Sequence, residues 1–418
     1  MTTDNLKGKK LLGINGMGRI GKLLLWNMIH LRHYEGIVIN CGREIGKELD
    51  DLIQVIENDS TYGNIHKFLF GIVGRKAEIK IIDSEIPLLQ IEGVYVKILR
   101  KARDPRDINW LDEGVRVVVD CTGNFLDPNI RPEEGQPCLR GHLEAGALKV
   151  ICSAPFKSKV TASTQATDAV TMIYGINHLS FEPKTHHIIS AASCTTTGLA
   201  HMVKPLLEHE ETSSIVTASM STIHAATNTQ SILDSVPKAG ATDLRKTRSV
   251  FNNIILSTTG VSKALEQVMP EIKNIGFMAD SVRIPTNTVS LINLNVTFHT
   301  KMDTQGHPSI NRKVLNNIYK EAAEGQQKGL LVYSERQNVS ADLIGTMAAV
   351  VIEAHETHTR TGFIPIPHHS LAEAGITTDK EILIPVTHAK LFGWYDNELG
   401  SYTNCLSHLA IYIDDNTP

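Results

Sequence analysis

Cysteine is scarce and never paired at short spacing: six cysteines in 418 residues include no CxxC. That leaves zinc ribbons and disulfide scaffolds unsupported and fits a reduced compartment, where each thiol is judged singly. No apolar run approaches the roughly eighteen residues that a membrane span needs. Met1–Lys10 is polar and lacks the apolar stretch of a secretory signal, so a cytoplasmic location is expected. Positive charge is not in excess either, with 41 Lys and Arg against 45 Asp and Glu. A nucleic-acid surface needs a basic balance, and this composition argues against one. Internal repeats and low-complexity tracts are missing as well. What remains is an ordinary globular composition, 42% hydrophobic and 21% charged. At roughly 100–200 residues per domain, the length suits two to four domains.

Lys10–Asn15 is apolar and runs into glycines, Arg19–Leu31 carries a helical apolar pattern, and Ile37–Asn40 reads as a strand. Strand, turn, helix and strand occupy about thirty residues, the size of one βαβ unit. Two further strands, Val115–Asp120 and Lys149–Cys152, end in Cys121-Thr122-Gly123 and Ser153-Ala154-Pro155. Strands that end in small polar residues suit a parallel sheet with a ligand along its carboxyl edge. From Val216 the texture changes, and Ile284–His299 alternates in character as antiparallel strands do. An α/β domain followed by an α+β domain is expected. Asp127–Gly146 and His355–Asp379, rich in Pro, Gly, His and Thr, read as loop insertions.

The stretch from Gly13 to Gly21 contains GxGxxG at Gly16, Gly18 and Gly21. Glycines there allow a tight turn, a close backbone approach to a pyrophosphate and close helix–strand packing. The helix N-terminus adds a positive partial charge where the anion would sit. Gly16, Met17, Gly18, Arg19, Ile20 and Gly21 are therefore candidate dinucleotide-binding residues. At the end of the second strand a carboxylate would normally hold the ribose hydroxyls. Here the chain reads Asn40-Cys41-Gly42-Arg43, with no acid until Glu44. The missing carboxylate removes repulsion against a 2′-phosphate, and Arg43 either donates to that phosphate or is a solvated loop residue.

Ser190–Gly198 reads SAASCTTTG and leads into an apolar-patterned helix from Leu199. Cys194 would then sit at a helix start, where the dipole and free N–H groups favour a thiolate. Cys121, Cys152 and Cys405 read as buried, inert thiols. His224 ends a β-like run and is followed by hydroxyls and amides (AATNTQ), the composition of a substrate rim rather than a core.

The opening GINGMGRIG, then AASCTTTG, STIHAATNTQ, DLRKTR, STTG and the late WYDNELG resemble, in order, the phosphorylating glyceraldehyde-3-phosphate dehydrogenases. The resemblance runs from Gly13 to Gly400. It implies a Rossmann-like, doubly wound parallel-sheet domain, residues 1–193 plus 397–418, which binds the dinucleotide. A second α+β catalytic domain with a mixed or antiparallel sheet would cover residues 194–396. It further implies that Cys194 is the nucleophile, that His224 is the base, and that the cofactor is NAD or NADP. Thr227 and Arg283 match a substrate-phosphate site. Ser193, Thr195, Thr259, Gly260 and the cluster Arg245, Lys246 and Arg248 match an attacking-phosphate region. The alternative reading of that cluster is a solvated basic face or subunit contact. Asn397 matches the residue that holds the nicotinamide carboxamide, and Arg103, Thr122, Gly123 and Ser153 match cofactor-lining positions. Partners implied are a small phosphorylated aldehyde, inorganic phosphate and three further copies of the chain in a homotetramer, with no nucleic acid and no membrane.

Several positions depart from the family pattern. Ala191 and Thr197-Gly198 replace the asparagines and cysteine usual around the nucleophile, Ala226 replaces a tyrosine, and Cys41 replaces the ribose-binding acid. The loop Asp234–Asp243 is lengthened. These changes keep open a sibling activity on a longer phosphosugar such as erythrose 4-phosphate, and a non-catalytic binding protein on the same fold. The histidines His355, His358, His368 and His369 do not form HExxH, and Gly362, Pro365 and Pro367 speak against one helix bearing them, so no metal is expected.

Overall fold

Leu11–Asn15 is apolar up to its last residue and forms β1, buried along its whole length. Gly36–Asn40 forms β2 in the same way, and α1 (Arg19–Leu31) connects the two parallel strands. Strands this uniformly apolar belong inside a parallel sheet covered on both faces. The helix ends where Arg32 takes a left-handed conformation at φ 53° and its N–H closes onto the Met28 carbonyl.

The computed structural model describes residues 5–100, 102–158, 166–228 and 230–418. The chain divides into two units, Met1–Thr197 with Gly345–Met347 and Glu398–Pro418, and Gly198–Ile344 with Ala348–Asn397. After β2 the first unit continues with α2 (Leu49–Glu57), a short ladder of β3 (Asn58–Asp59) and β4 (Gly63–Asn64), and α3 (Ile65–Phe70). Then come β5 (Ile79–Asp83), β6 (Leu88–Ile91), β7 (Val94–Leu99), β8 (Val117–Asp120) and α4 (Gly141–Glu144). The last strands are β9 (Lys149–Cys152), β10 (Ala169–Thr171) and β11 (Ile188–Ser190), followed by the start of α5 (Cys194–Glu208). Among the described residues, nine strands form one sheet in the order β10-β11-β9-β8-β1-β2-β7-β6-β5. Pairing is parallel from β10 to β7, and antiparallel across β7, β6 and β5. The chain leaves β1 on one side toward β2 and returns on the other as β8. That reversal is where doubly wound sheets hold ligands. The register aligns Asn40, Asn15, Asp120, Cys152 and Ser190 in one row at the carboxyl edge.

The second unit takes α5 from Gly198 onward, then β12 (Ile215–His224), β13 (Ile255–Ser257), α6 (Val261–Val268) and β14 (Gly276–Arg283). It continues with β15 (Ser290–His299), α7 (Arg312–Glu324), β16 (Leu331–Ser334), β17 (Val350–Glu353), β18 (His358–Ile366), α8 (His368–Glu373) and β19 (Ile382–Tyr395). Its sheet is mixed: β12 runs parallel to β14 and antiparallel to β15, which pairs antiparallel with β19. Burial alternates along β15, the pattern of a strand with one face in the core. Helix α5 packs on this sheet closely enough that a Cβ on Gly393 would lie 2.4 Å from Met202 Sδ. Tyr319 of α7 donates to the Met202 carbonyl at 3.0 Å. The chain then returns to the first unit as α9 (Tyr402–Asp415), where Asn27 of α1 donates to Thr403 Oγ1 at 2.7 Å.

The segment His355–Asp379 corrects its reading as a loop. It contains β18, paired antiparallel with β19 from His358↔Lys390 to Ile366↔Ile382, and the short helix α8. The prolines concealed this strand. β18 is an edge strand, where Pro365 forfeits no ladder bond that the fold requires. Ile284–Val289 precedes β15 rather than extending it.

Candidate active site

The turn after β1 uses its three glycines in different ways. Gly16 sits at φ +100° and donates its N–H to the Asn40 carbonyl at 2.8 Å, and a Cβ there would press on the Thr122 backbone at 3.1 Å. A Cβ on Gly21 would lie 1.9 Å from the Gly16 carbonyl oxygen, so α1 can start this close to β1 only with glycine. Gly18, at the N-cap of α1, has open space where its Cβ would be. No side chain caps this helix and no acid lies in its first turn. A helix N-terminus with no capping side chain and no acid in its own first turn fits the pyrophosphate of a dinucleotide. Met17 and Ile20 pack against the core, while Arg19 is held by Asp59, Glu398 and the Thr61 hydroxyl.

Beneath the turn lies a buried polar chain. Asn40 Nδ2 donates to Asn15 Oδ1 at 2.8 Å, and Asn15 Nδ2 donates to Asp120 Oδ2 at 2.7 Å. His142 Nε2 lies 3.1 Å from the same carboxylate oxygen, and its Nδ1 accepts from Trp110 Nε1 at 2.9 Å. A nitrogen that accepts cannot carry the proton, so the neutral ring is protonated at Nε2 and donates to Asp120. Thr122 donates to the other carboxylate oxygen from both its N–H and its hydroxyl. Asp120 is thus a buried carboxylate with its acceptors satisfied, and it fixes the Thr122-Gly123 turn; Ser153 N–H donates to its carbonyl at 2.9 Å.

At the end of β2, Cys41 N–H donates to the Leu99 carbonyl at 2.8 Å and Arg103 Nε to the Gly42 carbonyl at 3.2 Å. Glu44 pairs with Arg100 at 3.0 Å. Arg43 is exposed, with no hydrogen bond or ion pair among the described residues. Burial pushes the Cys41 thiol up to about 11, so it supplies no anion there.

Cys194 is the first residue of α5. The preceding Ala192 is buried at φ 54°, a left-handed conformation unusual for a residue with a Cβ, and its carbonyl accepts from the Tyr402 hydroxyl at 3.2 Å. Ser193 Oγ then accepts from Thr196 N–H at 3.2 Å, an N-cap bond that starts the helix at the cysteine. Cys194 and Cys121 are both half-buried, and desolvation raises the Cys121 thiol well above its ordinary value; Cys152 and Cys405 are fully buried, which pushes them up to about 12. Thr195, Thr196 and Thr197 are buried.

In the second unit the register sets His224, the last residue of β12, opposite Arg283, the last of β14. His224 Nδ1 contacts the Ala225 carbonyl at 2.7 Å, and Asn397 Nδ2 lies 3.3 Å from Nε2. The Arg283 guanidinium contacts Nδ1 and donates to the Ala225 carbonyl at 3.3 Å. Burial first, and the adjacent Arg283 charge second, lower His224 to about 4, so the imidazole is neutral at pH 7 and able to accept a proton. Ser290, which sequence reasoning missed, joins this group: it accepts from Ala225 N–H at 3.0 Å and from Asn397 Nδ2 at 2.7 Å. It follows Val289, buried at φ 62°, an outlier for a β-branched residue. No motif flags Ser290, because strand pairing alone brings it there.

Thr227 donates to Gln230 Oε1 from both N–H and hydroxyl, and Thr229 between them lies outside the described residues. Thr259 accepts from Val261 N–H at 3.3 Å, and Gly260 is the N-cap of α6. Arg245 pairs with half-buried Asp243 and Arg248 with exposed Asp234, and Arg245, Arg248 and Lys246 are themselves exposed. No hydrogen bond or ion pair among the described residues joins this cluster to Thr259 or Gly260. Among the described residues, no group of three or more His, Cys, Asp or Glu is arranged to hold a metal ion. No described helix is long and apolar enough to cross a membrane.

Residues 10–128 match the glyceraldehyde 3-phosphate dehydrogenase NAD binding domain, and residues 193–397 match the C-terminal domain of the same enzyme family. The chain is 33% identical over 403 residues to the glyceraldehyde-3-phosphate dehydrogenase of Geobacillus stearothermophilus, covering 96% of this chain and 97% of that one. It is 31% identical over 405 residues to glyceraldehyde-3-phosphate dehydrogenase 1 of Bacillus cereus, covering 96% and 98%. The cytosolic enzyme of Chlamydomonas reinhardtii is 31% identical over 408 residues, 98% of each chain.

Proposed function

Because this chain belongs to the glyceraldehyde-3-phosphate dehydrogenase family, an oxidoreductase family acting on phosphorylated aldehydes, we propose that it oxidises glyceraldehyde 3-phosphate to 1,3-bisphosphoglycerate through a thioester on Cys194. The observation that carries this reading is the capped, strained turn that starts α5 at a half-buried thiol, while the thiols of Cys152 and Cys405 are held inert by burial.

Cys194 attacks the aldehyde carbon, and the new C–S bond gives a thiohemiacetal. Bound NAD(P) supplies the hydride acceptor. His224 takes the hydroxyl proton as the carbon is oxidised, which leaves a thioester. An oxygen of inorganic phosphate attacks the acyl carbon, the C–S bond breaks, and the thiolate leaves with an acyl phosphate as product. Thr227 and Arg283 hold the substrate phosphate. Ser193, Thr195, Thr259 and Gly260, with Arg245, Lys246 and Arg248, serve the attacking phosphate. Gly16 to Gly21 with Thr122, Gly123, Ser153 and Arg103 line the dinucleotide, and Asn397 orients its carboxamide end. A cytoplasmic homotetramer completes the proposal. Initial rates with glyceraldehyde 3-phosphate and erythrose 4-phosphate, each with and without phosphate, test it. Phosphate-dependent turnover with the triose supports it; a preference for the tetrose, or no turnover with either, rejects it.

Arg283→Ala is expected to raise the KM for a phosphorylated aldehyde far more than for an unphosphorylated one, since a charge-assisted hydrogen bond contributes about 1.5–3 kcal/mol. Its acid limb is expected to move as well. His224 acts as a base only when unprotonated, so kcat/KM falls as pH drops through its lowered value of about 4. Removing the guanidinium removes one of the two causes of that lowering, and the limb shifts to higher pH. Equal KM effects on both substrates would move the phosphate site elsewhere.

Cofactor choice follows from the end of β2. With Cys41 and Gly42 in place of an acid and Arg43 next, the enzyme uses NADP at least as well as NAD. Arg43→Ala is expected to lower kcat/KM for NADP selectively. A strong wild-type preference for NAD, indifferent to Arg43, would reject this.

A further inference from the structure

We propose that Arg100 is the second arm, beside Arg43, of a clamp for the 2′-phosphate of the dinucleotide, and that Glu44 occupies Arg100 until that phosphate displaces it. The inference rests on the dinucleotide reading above and extends it to residues that no motif marks. The end of β2 and the end of β7 are tied together at four points. Cys41 N–H bonds the Leu99 carbonyl at 2.8 Å, Asn40 Nδ2 the Ala102 carbonyl at 2.9 Å, Arg103 Nε the Gly42 carbonyl at 3.2 Å, and Arg100 Nη1 the Glu44 carboxylate at 3.0 Å. These bonds hold Arg100 and Arg103 beside the position where a doubly wound dinucleotide fold places its ribose-binding acid, and exposed Arg43 follows two residues after Cys41.

The charge at that position is positive. The charges that act on the Cys41 thiol are Arg100 first, Arg43 second and Glu44 third. Glu85 and Asp107 line an adjoining cavity of about 410 Å³ together with Glu44 and Arg100. A free ribose hydroxyl finds no carboxylate acceptor at Cys41, whereas a phosphate dianion finds two guanidinium donors. Glu44 is the competitor. Its side chain is 63% exposed against 20% for Arg100, so the pair is held from the arginine side and the carboxylate can leave into water. An exposed ion pair of this kind is weak, and a bidentate arginine–phosphate contact outcompetes it.

The test is calorimetric binding of ADP-ribose and of ADP-ribose 2′-phosphate to the full chain without cofactor or substrate. Wild type is expected to bind the 2′-phosphate form more tightly. Arg100→Ala weakens that form by roughly tenfold to a hundredfold and leaves ADP-ribose unchanged. Glu44→Gln tightens it by up to about fivefold, the worth of an exposed pair, and this variant gives up only the Arg100–Glu44 ion pair while keeping every arginine. If Glu44→Gln instead weakens ADP-ribose, Glu44 is the ribose acid and the clamp is wrong. Equal, mutation-insensitive binding of both ligands also overturns the clamp while leaving the dinucleotide site standing. Failure of both ligands to bind overturns the dinucleotide reading itself, and the clamp with it.

Discussion

Cys194→Ser is expected to lose measurable dehydrogenase turnover while still binding NAD(P). Serine keeps the size of the side chain and is well accepted at a helix start, so Ser193 can still cap α5 and Tyr402 can still hold the Ala192 carbonyl. The chemistry changes instead. A hydroxyl is far less ionised than a thiol near pH 7, and an oxygen ester in place of the thioester is a much poorer acyl donor to phosphate. The glycine turn at Gly16–Gly21 is untouched, so fluorescence titration with NAD(P)H is expected to give the wild-type affinity. Substantial residual turnover would remove Cys194 from the role of nucleophile.

His224→Asn is expected to lower kcat by about 10²–10⁴, the usual cost of losing a general base. The asparagine retains hydrogen-bonding capacity toward Asn397 and Ala225, so Ser290 and Asn397 keep their mutual bonds and the unit keeps its fold. It cannot take up a proton. Iodoacetamide is expected to label Cys194 more slowly in this variant, because the neutral imidazole no longer draws the thiol proton during attack. Unchanged labelling together with unchanged kcat would make His224 a structural residue.

Local features of the sequence were the legible ones. GxGxxG is readable because its constraints are local: the positive φ of Gly16 and the 1.9 Å clearance at Gly21 arise within a single turn. The start of α5 at Cys194 is readable for the same reason, since the cap is made by Ser193 and Thr196 three residues apart. The strands Leu11–Asn15, Gly36–Asn40 and Lys149–Cys152 announce themselves as apolar runs bounded by small residues. What stayed hidden depends on register between distant strands. Ser290 reaches Asn397 and Ala225 through the ladders that join β12, β15 and β19. Glu44 finds Arg100, and Asn15 finds Asp120, only once β2, β7, β1 and β8 are side by side. β18 was concealed by Pro365 within it and Pro367 just after it, and an edge strand tolerates the former.

In the proposed reaction, phosphate discharges an acyl group carried by Cys194. Mass spectrometry of protein acid-quenched after mixing with glyceraldehyde 3-phosphate and NAD(P) in phosphate-free buffer addresses it directly. The predicted result is a 3-phosphoglyceroyl adduct on the peptide containing Cys194, lost when phosphate is added before the quench, with an equal amount of acyl phosphate released. An adduct on another residue, no adduct at all, or a Cys194 adduct that phosphate does not discharge would contradict it.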